Sequence, residues 1–83
     1  MSVTNKKEVV TVSQVHDACK ELFVNCDDGY GKTYALAVLQ HNMEGRVLSC
    51  QISYILMNCG SWKGELARST KNVLRTWQKQ NKY

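Results

Sequence analysis

The chain contains no proline and only one phenylalanine. Without proline, no helix carries a built-in break and no proline-rich linker divides the chain. No stretch approaches the roughly 18 consecutive apolar residues of a membrane-spanning helix. Met1–Glu8 also lacks the apolar centre of a secretory leader, so the expected location is the cytoplasm. Acidic residues are scarce towards the end, where Glu65 stands alone after Ser61.

Closely paired metal ligands are missing too. The four cysteines lie at Cys19, Cys26, Cys50 and Cys59, with His16 and His41 as the only histidines. Zinc sites place two ligands two to four residues apart, so that one short knuckle aims both at the ion. Only His16 and Cys19 come near that spacing. The cysteines therefore read as free thiols in a reducing compartment, with Cys19 and Cys50 acting as small hydrophobes. No metal or other cofactor is expected.

What is present fits one globular domain over residues 1–83, beginning at Met1 and read as a complete small protein, with residues 1–8 a flexible N-terminus and 81–83 a flexible tail. The 43% hydrophobic and 22% charged content is enough for a core and too apolar for disorder. A chain of this length buries only about 60% of its unfolded surface, so a twin subunit is a natural means of support and a homodimer is expected.

The first helix has a clear start. Thr11 and Gln14 form a Thr-x-x-Gln capping box, flanked by Val10 and Val15 at staple positions. Val15, Ala18, Cys19, Leu22 and Cys26 then recur at helical spacing, predicting a helix over Val12–Val24 that Asp27-Asp28-Gly29 ends. A last helix is expected over Gly64–Gln80, with Leu66, Thr70, Val73, Leu74 and Trp77 as its apolar stripe.

The middle is ambiguous. Leu48, Cys50, Ile52, Tyr54 and Leu56 alternate with mostly polar residues, and Tyr34, Leu36 and Val38 do so more weakly. A β-hairpin turning at Asn42–Gly45 places both sets on one face. Two helices compete, because Leu48, Ile52, Ile55 and Cys59 also fit helical spacing. The β-branched residues and tyrosine of the second arm favour the hairpin. The expected fold is therefore α+β: a small two-layer domain of helix, β-hairpin and helix, with Lys7–Val10 as a short N-terminal edge strand. The alternative is all-α, four short helices containing a helix-turn-helix, with Asn58–Gly64 as its turn.

Charge asymmetry is the main functional signal. Lys63, Arg68, Lys71, Arg75, Lys79 and Lys82 oppose Glu65 alone, so residues 61–83 carry +5 and the rest of the chain −1, which together make the net charge of +4. Arg68, Arg75 and Lys79 share the face opposite the apolar stripe, with Lys71 beside them. Such a face is the electrostatic footprint expected for a phosphate backbone. These six residues are the expected contacts to DNA or RNA, with Asn72, Gln78, Gln80 and Asn81 as further hydrogen-bonding groups. Trp62 and Tyr83 flank the segment as candidates for stacking on unpaired bases. Lysine and arginine also gather near helix C-termini simply to oppose the dipole.

The expected function is that of a small, basic, regulatory nucleic-acid-binding protein. The competing reading is a compact inhibitor or adaptor, of the kind viruses and mobile elements encode, docking on an acidic protein surface through a hairpin edge or the basic helix. In that case an apolar anchor such as Trp62 or Tyr30 carries the affinity.

Catalysis finds little support. Gly29-Tyr30-Gly31-Lys32-Thr33 resembles the end of a phosphate-binding loop, but Cys26 stands where the pattern requires its first glycine. His16 and Glu21 are five residues apart and do not share a helical face. No nucleophile–base set can be assigned, and the chain is not expected to be an enzyme.

Overall fold

The computed structural model describes residues 9–81, and within them the protein is all-helical. Helix α1 spans Val12–Asn25, α2 Gly29–Gln40, α3 Gly45–Met57 and α4 Glu65–Gln80. This overturns the α+β expectation and matches the four-helix alternative. Val9 and Val10 form no strand; Lys7, and with it the start of the expected edge strand, lies outside the described residues, as do the expected flexible residues 1–8 and 82–83.

The hairpin fails because helical spacing buries more. In α3, Leu48, Ile52 and Ile55 are all fully buried, and Cys59 continues their stripe beyond the helix end. Cys50 and Tyr54, which the hairpin needs on the same face, are exposed instead. In α2, Gly31, Ala35 and Val38 are the buried positions, again at helical spacing. A lone two-stranded ribbon is marginal in water, whereas four amphipathic helices can close a core on one another.

Local signals set the helix ends. The expected capping box is present at α1: the Gln14 amide donates to Thr11 Oγ1 at 3.1 Å, and the Thr11 amide donates to Gln14 Oε1 at 2.8 Å. Val15 is buried in the core, and Val10 is partly buried against that core. Asp28 caps α2, its carboxylate accepting from the amides of Tyr30 at 2.9 Å and Gly31 at 3.0 Å. Asn42 ends α2 with φ of 50°. The Met43 amide reaches back to the Val38 carbonyl at 3.1 Å, the six-to-one bond of a Schellman ending. Asn42–Gly45 is thus a turn as expected, but one that joins helices. Gly64, at φ 110°, precedes α4 in a conformation that disfavours any side chain.

Helices adjacent in the chain pack together, and α4 closes the arrangement by resting mainly on α1. Buried residues from all four helices share one core with Cys26, Cys59 and Trp62 from the connections. The α4 stripe is shifted from its expected position: Ala67, Thr70, Leu74 and Trp77 are buried, while Leu66 is exposed. Gln80 ties the end of α4 to the start of α1, accepting from the Val10 amide at 2.8 Å and donating to its carbonyl at 3.0 Å.

Candidate nucleic-acid interface

Helix α4 buries one face and presents the other to solvent. On that outer face stand Arg68 and Arg75, two turns and about 10 Å apart along the axis at helical rise, followed by Lys79 in the last turn. Lys63 projects from the connection before the helix. All four are exposed, and among the described residues none of them makes a hydrogen bond or ion pair. Beside them is a shallow depression of about 360 Å³ lined by Gly60, Trp62, Lys63, Gly64, Ala67, Arg68, Lys71 and Arg75. A second, of about 310 Å³, is lined by Glu65, Arg68, Ser69, Asn72 and Arg75. The two arginines line both, forming a basic ridge between two hollows.

Lys71 has a different position from that expected. It is half-buried, and its ammonium donates to the carbonyls of Cys59 at 2.6 Å and Trp62 at 2.8 Å, 6.0 Å from the centre of the Trp62 ring. The ammonium thus ties the 58–64 connection to α4 and contributes positive charge to the floor of the first depression. Lys82 and Tyr83 lie outside the described residues. Trp62 is only 8% exposed and belongs to the core, so its ring is not free to stack on bases.

The amides expected as base contacts divide in the same way. Gln78 donates to the Ser49 carbonyl at 2.9 Å and to Ser53 Oγ at 2.9 Å, joining α4 to α3. Gln80 is engaged with Val10, and Asn81 donates to the Trp77 carbonyl at 3.0 Å. Asn72 remains exposed, beside Arg68 and Arg75 in the second hollow.

The α3–α4 pair departs from a helix-turn-helix unit. Its connection covers residues 58–64, longer than the three or four residues usual in that motif.

The other motifs resolve into structural roles. The phosphate-loop-like segment is the start of α2, and the Asp28 carboxylate already occupies the Tyr30 and Gly31 amides that would face a phosphate. Lys32 lies 5.7 Å from the Phe23 ring centre. His16 Nε2 is 2.9 Å from the Met43 carbonyl, a bond across the core edge. Among the described residues no cluster of three or more His, Cys, Asp or Glu can hold a metal ion, and no helix is long and apolar enough to cross a membrane.

Sequence reasoning missed a second surface. Val47, Cys50, Tyr54 and Met57 recur at i, i+3, i+7 and i+10 on the outer face of α3, and all are exposed, Met57 by 77% and Tyr54 by 51%. The Tyr54 ring packs at 5.7 Å, centre to centre, on Tyr34 of α2. The alternation that suggested a strand contained two of these four residues, Cys50 and Tyr54. Reading α3 as two-faced was the signal that could have found it.

Compared with protein-family models, curated proteins and solved structures, the chain matches none.

Proposed function

We propose that the protein binds nucleic acid through the outer face of α4, with Arg68, Arg75 and Lys79 along phosphates and Lys63 at the edge of the depression. The observation that carries this reading is a row of exposed cations without partners among the described residues. A merely solvated helix usually intersperses charges of both signs, yet α4 has one carboxylate, in its first turn. Arginine is the better phosphate ligand of the two basic residues, because its planar fork donates two parallel bonds. Asn72, exposed beside the ridge, is the one of the four expected amide side chains with freedom to read a base or sugar. Lys71 acts from beneath by holding the connection that shapes the depression. Anisotropy of labelled duplex DNA and single-stranded RNA tests the reading: binding is lost when Arg68, Arg75 and Lys79 become alanine.

The apolar stripe of α3 favours a second reading, a protein-binding module. The hairpin edge first expected to dock is gone, because residues 29–57 are helices α2 and α3 and the turn between them. Trp62 is unavailable as an anchor because it is buried, while Tyr30 is 71% exposed. The anchors would instead be Tyr54 and Met57, with Tyr30 on α2. Changing Tyr54 and Met57 to serine leaves nucleic-acid affinity intact under the first reading and removes partner binding under the second.

A further inference from the structure

The geometry points to Cys26 and Cys59 as a disulfide-forming pair, oxidised by a small-molecule disulfide of the glutathione class. Their sulfurs lie 3.9 Å apart in the core, though the residues are 33 positions apart in the chain. Cys26 is the residue at which α1 ends, and Cys59 lies just beyond the end of α3. Neither is inside a helix, so small backbone shifts can bring the sulfurs to the roughly 2.05 Å of a bond.

The surroundings favour this pairing over any other. The Asp28 amide donates to Cys26 Sγ at 3.4 Å, holding that sulfur at the helix end. Gly31 provides the room on the other side: a Cβ there would lie 3.0 Å from Cys59 Sγ. Cys19 is two helical turns before Cys26, about 10 Å away along α1, and Cys50 is exposed on the outer side of α3. The pair is independent of the nucleic-acid reading, because its test is a covalent bond.

The exchange balances as two thiol–disulfide steps. The Cys26 thiol loses its proton, and its sulfur attacks the small disulfide; the S–S bond breaks, one small thiol leaves, and a mixed disulfide remains. Cys59 then loses its proton and attacks the Cys26 sulfur, expelling the second small thiol. Two protein thiols become one disulfide, and the small disulfide becomes two thiols. Cys26 and Cys59 are both buried, and burial pushes the Cys59 thiol up to about 12. Exchange therefore proceeds through opening of the 58–64 connection and is faster in mild denaturant.

The test uses the full chain with Cys50→Ser, which removes the exposed thiol. The protein is equilibrated over a range of oxidised-to-reduced glutathione ratios with and without mild urea, then unfolded, alkylated and mapped after tryptic digestion. The expected product links the peptide from Glu21 to Lys32 with that from Val47 to Lys63, while Cys19 is alkylated. The thermal midpoint rises by roughly 10 °C, from the lost freedom of the unfolded chain, and dithiothreitol restores the original value. Alkylation of all three thiols at every ratio overturns the inference, as does a stalled glutathione adduct or a bond that includes Cys19.

Discussion

Lys71→Met separates the tethering cation from the exposed ones most sharply. The substitution keeps an unbranched stem for packing but removes the two hydrogen bonds from the ammonium to the Cys59 and Trp62 carbonyls. A bond to a charged group contributes about 1.5–3 kcal/mol when buried. Lys71 is half-buried and water can reach part of the site, so the pair together is worth about 2 kcal/mol. A chain of this size unfolds with a urea dependence of about 1 kcal/mol per molar, which lowers the midpoint by roughly 2 M. Trp62 and Trp77 are both buried, and their fluorescence reports the transition directly. Arg75→Ala, on the exposed face, should leave the midpoint nearly unchanged. An unaltered midpoint for Lys71→Met would refute the tether and return Lys71 to the set of free cations.

The other perturbations test packing, capping and ionisation. Gly31→Ala adds a methyl 3.0 Å from Cys59 Sγ and 3.1 Å from the Asn58 carbonyl oxygen; despite alanine's helix preference it should cost about 1–2 kcal/mol in urea unfolding. Thr11→Ala removes one half of the capping box and should cost about 1 kcal/mol. Ile52→Ala, at a fully buried site, should cost about 2–5 kcal/mol, whereas Tyr54→Ala on the outer face of α3 should cost far less. Burial raises the Cys19 thiol from 9.0 to about 12. Above pH 9 the unfolded chain releases that proton while the folded one keeps it, so this contribution is complete below pH 9 and is lost as pH rises towards 12. Stability measured across that window should decline, and less steeply in Cys19→Ala.

The outer helices were legible because their signals are local. Thr11 and Gln14 form the expected box, and Thr70, Leu74 and Trp77 are buried where a helical stripe places them. The middle was not legible because Leu48 and Ile52, four apart, satisfy both a period of two and a helical period. The exposed apolar residues Cys50 and Tyr54 tipped the pattern towards a strand, although they lie away from the core. Of the basic set, Arg68, Arg75 and Lys79 follow from helical geometry alone. The tether made by Lys71 depends on the path of the 58–64 connection, which no spacing rule supplies. The approach of Cys26 to Cys59 is a property of helix packing and leaves no trace in local sequence.

The salt dependence of duplex DNA binding tests the central claim most directly. If Lys63, Arg68, Arg75 and Lys79 each neutralise a phosphate, the logarithm of affinity should fall against the logarithm of salt with a slope of about −3.6. Arg68→Ala with Arg75→Ala should reduce it to about −1.8, by removing two of the four contacts. No binding at low salt, or a slope that ignores the loss of both arginines, would contradict the assignment of α4 as the nucleic-acid-binding face.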